Sequence, residues 1–101
     1  MGADPKADPE LVQLPKQVMA PKDNPSTPAK VELGKLLFFD PRLSGDNKMS
    51  CATCHMPEKA YGDGLATSPG AGDKLLERNT QTCLNVGLFK TLFWDGRANS
   101  L

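Results

Sequence analysis

The chain has 101 residues, of which 39% are hydrophobic and 6% aromatic, so it is one domain or part of one, with little apolar material for a core. Its twelve basic and twelve acidic residues cancel, and without a basic patch we expect no nucleic-acid partner. No apolar run approaches the roughly 18 residues of a membrane-spanning helix, so we expect no membrane span.

The first 30 residues are rich in proline and hold six of the nine prolines in the chain. Because proline fixes its own backbone angle and lacks an N–H donor, this density predicts an extended arm rather than a long helix. The apolar residues expected to anchor the arm are Leu11, Val12, Leu14, Val18 and Met19. The start of the arm, residues 1–6, is polar and has no signal-peptide pattern.

A helix is predicted after the arm, where the hydroxyl of Thr27 can cap a first turn that begins with Pro28. It should end at about Phe39, because Asp40 precedes a proline and such residues avoid helical backbone angles. The spacing of its apolar residues is typical of an amphipathic core helix. These residues are Val31, Leu33, Leu37 and Phe38.

Cys51, Cys54 and His55 form the attachment signature of a c-type haem, on a short helix that Ser50 can cap. Cysteines three positions apart lie on the same face of a helical turn, so both sulfurs can reach the vinyl groups on one edge of a porphyrin. His55 then lies under the ring and can bind the iron as the proximal ligand. We therefore predict one covalent haem c.

Two other interpretations of this cysteine pair remain open. A thioredoxin-like dithiol needs a βαβ pattern, and no hydrophobic strand precedes Cys51. A structural zinc site needs four ligands, and Cys51, Cys54, His55 and Cys83 lack the usual paired spacing. Cys83 itself is predicted to be a free thiol that acts as a small, buried apolar side chain.

Residues 57–72 are predicted to form a glycine-rich loop that lines one side of the haem, with a mobile connector as the plainer alternative. A short helix is predicted from Thr80 to Leu88, and a turn at residues 93–97 should lead into a last helix cut off at Leu101. Strand signals are absent. The predicted fold is all-α, a cytochrome c-like haem domain at residues 31–101, truncated at its C-terminus, behind the arm of residues 1–30.

Four stretches in this order and spacing resemble the N-terminal haem domain of bacterial di-haem cytochrome c peroxidases and MauG-like proteins. They are residues 33–44 (LGKLLFFDPRLS), 51–55 (CATCH), 78–82 (RNTQT) and 93–98 (FWDGRA). The resemblance implies reduction of hydrogen peroxide to water in the periplasm. It also implies that small cytochromes or copper proteins donate the electrons, and that a second haem domain receives them.

The same resemblance implies roles for individual residues. Trp94 matches a tryptophan between the two haems and is a candidate catalytic electron relay, and Asn79 matches a residue that supplies a side-chain oxygen to calcium. Arg78 and Arg97 are candidates for binding the haem propionates by charge-assisted hydrogen bonds. Each role has a structural alternative: Trp94 as a core or interface side chain, Asn79 as a helix cap, and the arginines as solvated surface charges.

The sequence departs from this family on the distal side of the haem. It has a single histidine, and Ala71 stands in the glycine-rich loop where classical members carry a removable distal histidine. The family's distal glutamate follows the tryptophan motif and has no counterpart in these 101 residues. Met19 is the one methionine that could act as a sixth ligand. We predict a five-coordinate or water-bound, high-spin haem with an open distal face and slow reaction with peroxide.

Three functions remain candidates at this stage. The chain is most simply the peroxide-reacting domain of a di-haem peroxidase, with hydrogen peroxide or another small ligand and small redox proteins as partners. A stand-alone monohaem electron-transfer cytochrome and a small-ligand-binding haem module are the alternatives. Apolar surface at Phe89, Leu92 and Phe93 predicts self-association, and the resemblance implies a second haem domain as another partner. Covalent haem attachment usually takes place outside the cytoplasm, so we expect a periplasmic protein whose signal peptide has been cleaved or replaced.

Overall fold

The computed structural model describes residues 14–101, which consist mostly of short helices and loops. The α-helices in this range are α1 (Pro28–Phe39) and α2 (Cys51–Cys54), and the 3₁₀ helices are Pro41–Leu43, Pro57–Lys59, Ala71–Asp73 and Val86–Leu88. β-Pairing among these residues is limited to isolated antiparallel bridges that join Met56 to Gly62, Pro69 to Leu75 and Leu92 to Ala98. The predicted all-α class with long loops is confirmed.

α1 begins and ends where the sequence predicts. The hydroxyl of Thr27 accepts a hydrogen bond from the backbone N–H of Lys30 at 3.2 Å, which satisfies one donor of the first turn. At the other end, Asp40 takes extended backbone angles before the proline, and its N–H donates to the carbonyl of Leu37 at 3.2 Å.

The predicted burial of the apolar side of α1 is wrong. Val31 and Leu33 are exposed, and no hydrophobic side chain in residues 14–101 is fully buried. The regular element that packs against α1 is α2, which is a single turn and too short to cover a helix of 12 residues. The partial exception is Phe38, whose ring lies 6.0 Å from the ring of Tyr61 in an edge-to-face arrangement.

The arm follows the surface, but most of its predicted anchors in the described range do not pack. Leu14 and Met19 are exposed, whereas Val18 lies against Gly87, where a Cβ would come within 2.9 Å of its side chain. Leu11 and Val12 lie outside the described residues, as does the polar start of the chain. The division into an arm and a domain at residue 30 stays a prediction.

Two helices predicted in the C-terminal third are wrong. Between residues 80 and 88 only Val86–Leu88 is helical, because the hydroxyls of Thr80 and Thr82 bond to residues 60–63 and hold their segment in a non-helical conformation. No helix follows Arg97 up to residue 101; the N–H of Leu92 donates to the carbonyl of Ala98 at 2.7 Å and closes a loop instead. None of the helices in residues 14–101 has the length and hydropathy of a membrane span.

Candidate functional site

α2 is one helical turn that presents the cysteine pair. Its start is fixed by the hydroxyl of Thr53, which accepts a hydrogen bond from the N–H of Ser50 at 2.9 Å. Its end is fixed by the N–H of His55, which donates to the carbonyl of Cys51 at 2.9 Å. Cys51 and Cys54 therefore occupy the first and last positions of the turn, on one face, with His55 directly after them.

His55 is half-buried and held through one ring nitrogen. Its Nδ1 lies 3.0 Å from the carbonyl oxygen of Tyr61, so Nδ1 carries the proton and donates it to that oxygen. The other nitrogen, Nε2, is then the unprotonated one. Metal-binding histidines usually have this arrangement, because a hydrogen bond at one nitrogen fixes the ring and raises the basicity of the other.

A cavity of about 660 Å³ begins at α2 and continues between two later segments of the chain. Its walls are formed by residues 76–83 and by residues 92–94 and 97, with Cys54 and His55 at one side. It thereby brings together six of the predicted site residues: Cys54, His55, Arg78, Asn79, Trp94 and Arg97. Cys51 is exposed and does not line it. This volume lies within the usual range for cofactor and ligand sites.

Arg78 and Arg97 meet at one carboxylate, Asp95, which the sequence analysis did not single out. Their Nη1 atoms lie 3.0 Å and 3.2 Å from Asp95 Oδ2, and the guanidinium of Arg97 also stacks over the ring of Phe93 at 3.7 Å. Desolvation raises the pKa of Asp95, but the hydrogen bonds and charges of the arginines outweigh it and leave the pKa lowered. Two guanidiniums around one carboxylate leave a net positive charge beside the cavity.

Trp94 and Asn79 are joined to each other. The indole Nε1–H of Trp94 donates to the backbone carbonyl of Asn79 at 3.0 Å. Trp94 is itself largely exposed, at 62%. A core role for Trp94 is therefore wrong. The amide of Asn79 donates to the carbonyl of Leu65 at 2.5 Å, and no helix begins beside it in the described chain, so the helix-cap alternative is wrong too.

Asp63, Ser68 and Thr80 form a hydrogen-bonded cluster beside the cavity that we call the polar knot. Asp63 and Ser68 are each 1% exposed, and they are the most buried side chains in the described part of the chain. Asp63 accepts hydrogen bonds from the N–H of Leu65 at 2.9 Å and the hydroxyl of Thr80 at 3.0 Å, and the hydroxyls of Ser68 and Thr80 are also in contact.

The polar knot keeps its carboxylate charged. The hydrogen bond from Leu65, followed by that from Ser68, lowers the pKa of Asp63 despite its burial. Ser68 and Thr80 also line the cavity. The sequence offered one local signal here, the Asp63-Gly64 pair, which is typical of a turn. Nothing in the sequence marks the aspartate as buried.

The cysteine thiols differ in their surroundings. Burial raises the pKa of Cys54, with a further contribution from the charge of Asp63, and its Sγ lies 3.9 Å from the carbonyl of Pro69. Cys83, predicted to be buried, is half-buried and lines the cavity. Burial raises its pKa also, with a smaller effect from Cys51. Both thiols are therefore protonated at neutral pH.

The residues present fit a haem better than zinc. No group of three or more His, Cys, Asp or Glu side chains within the described range is arranged to hold a metal ion. A pair of cysteines on one face, an imidazole fixed at Nδ1 and two arginines beside an otherwise largely apolar cavity match the thioether, axial-ligand and propionate requirements of a haem c. Met19 is 94% exposed and lies outside the cavity lining, as does Ala71.

Comparisons with known proteins show the family of the chain. The family model described as di-haem cytochrome c peroxidase matches residues 28–101. The chain is 48% identical over 95 residues to cytochrome-c peroxidase IdrP1 of Pseudomonas sp. (strain SCT), which covers 94% of this chain and 25% of the relative. It is 52% identical over 87 residues to methylamine utilization protein MauG of Methylorubrum extorquens, which covers 86% and 25%.

A solved structure is similar as well. A MauG-like protein associated with microbial copper homeostasis superposes with a TM-score of 0.79 at 36% identity, over 90% of this chain and 29% of that one. The chain thus spans about a quarter of the length of the curated relatives named above.

Proposed function

Because the chain belongs to the di-haem cytochrome c peroxidase family, we propose that it holds one covalent haem c in this cavity and forms the peroxide-reacting domain of a periplasmic peroxidase. The observation that carries the proposal is the cavity itself. It joins the haem-attachment turn to the arginine and tryptophan motifs, which lie more than 20 residues further along the chain.

Each residue at the cavity has a distinct part in this proposal. Cys51 and Cys54 would hold the haem through thioether bonds, and His55, whose Nδ1–H donates to the carbonyl of Tyr61, would bind the iron through Nε2. Bound in this way, haem iron supplies the redox centre that gives electrons to peroxide. Arg78 and Arg97 would bind the propionate carboxylates of the haem. Asp95 pairs with both guanidiniums in this structure, so a propionate would compete with Asp95 for them.

Trp94 is the proposed electron relay. Its indole lines the cavity and is also largely exposed, so it connects the site to a surface that a redox partner or a second haem domain can reach. The hydrogen bond to Asn79 fixes the orientation of the ring. Reduction of one peroxide to two waters consumes two electrons and two protons, and small redox proteins supply the electrons.

The distal side of the haem is proposed to be open. Among the described residues that line the cavity there is no methionine, and His55 is the one histidine of the chain. Small molecules can then reach the iron, although proton transfer to peroxide is slow without a positioned acid. Calcium at Asn79 stays a prediction: the amide nitrogen is used by Leu65, so Asn79 offers its side-chain oxygen, one of the six to eight oxygens that calcium takes.

The first experiment is to record visible absorption and EPR spectra of the ferric, haem-loaded chain before and after addition of hydrogen peroxide. We expect a high-spin spectrum that changes with peroxide. A low-spin, six-coordinate spectrum that ignores peroxide would contradict the open site and favour an electron carrier. His55→Ala is expected to abolish the normal ferric spectrum, whereas Lys74→Gln, on an exposed loop, is the control that should leave it unchanged.

A further inference from the structure

The carbonyl that holds His55 belongs to a strained turn. Tyr61 has a φ of 60° and Ala60, directly before it, has a φ of 53°, so two successive non-glycine residues adopt left-handed backbone angles. Side chains with a Cβ avoid these angles, and such outliers persist only where surrounding contacts determine them. Backbone bonds within the turn set its shape: the N–H of Tyr61 donates to the carbonyl of Met56 at 2.8 Å, and the N–H of Met56 donates to the carbonyl of Gly62 at 2.9 Å. Side chains from a later segment add to these bonds in keeping the Tyr61 carbonyl at 3.0 Å from His55 Nδ1.

The added support comes from residues 80–82 and acts on both sides of Tyr61. Before it, the hydroxyl of Thr82 donates to the carbonyl of Ala60 at 2.5 Å. After it, the hydroxyl of Thr80 donates to the carboxylate of Asp63 at 3.0 Å. Both hydroxyls therefore point from residues 80–82 toward the turn. They fasten the turn at two points three residues apart.

Asp63 is the stronger of the two attachments because it is charged, almost fully buried and bonded more than once. The Asp63 side chain is 1% exposed, and its carboxylate also accepts a hydrogen bond from the N–H of Leu65 at 2.9 Å. The backbone carbonyl of Asp63 accepts a hydrogen bond from the ammonium group of Lys59 at 2.8 Å. A buried carboxylate with several donors has one orientation, since any other would leave charge unpaired. The backbone beside Tyr61 is fixed with it.

We propose that Asp63 and Thr80 are positioning residues for the axial histidine: through the turn they hold the Tyr61 carbonyl against His55 Nδ1 and so set how basic the coordinating nitrogen is. The proposal rests on the proposed haem ligation by His55. A firm Nδ1–H donation strengthens the imidazole as a ligand and favours the ferric state. Loosening the turn should weaken the iron–histidine bond and raise the reduction potential, without any change of ligand.

The test uses the haem-loaded chain with Asp63→Asn, Thr80→Val and Thr80→Ser. The readouts are the reduction potential and the iron–histidine stretching band of the ferrous protein in resonance Raman spectra. We expect Asp63→Asn and Thr80→Val to raise the potential and move the band to lower frequency, while Thr80→Ser, which keeps the hydroxyl, matches the wild type. Asp23→Asn removes the same charge from an exposed turn and should change neither readout.

The variants separate a positioning role from a plain charge effect. Thr80→Val keeps the Asp63 charge, so a shift in Asp63→Asn without one in Thr80→Val would overturn the proposal. If Asp63→Asn or Thr80→Val loads no haem, Thr82→Val, which loosens the turn from its other side, decides the matter by the same two readouts. A wild-type protein with no iron–histidine band would instead contradict the proposed ligation itself, which is a different failure.

Discussion

Helix α1 and the polar knot of Asp63, Ser68 and Thr80 are ordered in opposite ways. α1 is regular, capped and easy to recognise, yet none of its side chains is buried. The residues of the polar knot lie outside the helices, yet two of them, Asp63 and Ser68, are the most buried side chains of the described range. The most regular segment of the described chain is therefore not the segment that contains its most buried side chains.

The difference indicates where the tertiary structure of these residues is specified. The backbone bonds and caps of α1 join residues that are close in sequence, whereas the buried carboxylate of Asp63 requires donors from distant residues to be in place. The polar knot links Asp63 to Thr80, and Ser68 and Thr80 line the cavity, so disruption there should reach the site. The predictions that follow compare the two regions in the haem-loaded chain, beginning with the largest expected effect.

Ser68→Ala should destabilise the protein most. It removes a fully buried hydroxyl and leaves the Thr80 hydroxyl with one partner fewer, and loss of a buried hydrogen bond of this kind costs about 1 to 3 kcal/mol. Urea unfolding followed by circular dichroism measures the change in the free energy of unfolding. Ser100→Ala, the same change at an exposed position, should cost less than the scatter of the measurement. If Ser68→Ala and Ser100→Ala changed the free energy of unfolding equally, the prediction that the buried hydroxyl stabilises the fold would be wrong.

Thr27→Ala should have the next largest effect, confined to α1. The substitution removes the side-chain acceptor of the Lys30 N–H, and loss of an N-cap typically costs about 1 kcal/mol. Thr27→Ser keeps the acceptor and should retain most of the stability. The same urea experiment, with hydrogen exchange of the α1 amides, tests both. A loss of protection that spreads to the loop amides of residues 63–68 would show that the two regions are coupled.

Acid sensitivity should also distinguish the two regions. The pKa of Asp63 is lowered by its donors, and that of Asp40 is lowered from 3.8 to about 2, mainly by the hydrogen bond from Arg42. A carboxylate with a lowered pKa stabilises the fold fully above its ordinary pKa, and this contribution is lost as the pH falls through the folded-state value.

Acid titrations of Asp63→Asn and Asp40→Asn measure these contributions below about pH 4. We expect Asp63→Asn to reduce the loss of stability at acid pH more than Asp40→Asn does. The reason is that Arg42 is 82% exposed, so solvent screens its pairing with Asp40. High salt should weaken the Asp40 contribution and leave that of Asp63 nearly unchanged. The reverse order would mean that burial in the polar knot does not protect its charge from solvent.

Leu36→Ala should have the smallest effect of the series. Leu36 is 70% exposed on α1, and alanine is the better helix former, so the free energy of unfolding should change by no more than about 0.5 kcal/mol. Urea unfolding again measures it. A loss of several kcal/mol would show that this face is covered in solution, for instance by self-association, and sedimentation of the wild type at high concentration would then identify the cover.

The sequence alone determined the features that depend on neighbours along the chain. The turn that presents Cys51, Cys54 and His55, the cap at Thr27 and the end of α1 before Pro41 all follow from contacts within a few residues. The resemblance carried by four short motifs also pointed to the family, because each motif is continuous in sequence. Arg78, Asn79, Trp94 and Arg97, which belong to two of these motifs, line one cavity with His55.

Only the tertiary structure decided what depends on contacts between distant residues. Thr80 and Thr82 are compatible with a helix locally, but bonds to residues about 20 positions earlier hold them in a non-helical conformation. Burial of Asp63 and the pairing of Arg78 with Asp95 likewise have no local signal. The physical reason is the same in each case: a polar group in a loop takes whichever partner the fold brings to it, and sequence spacing does not record that partner.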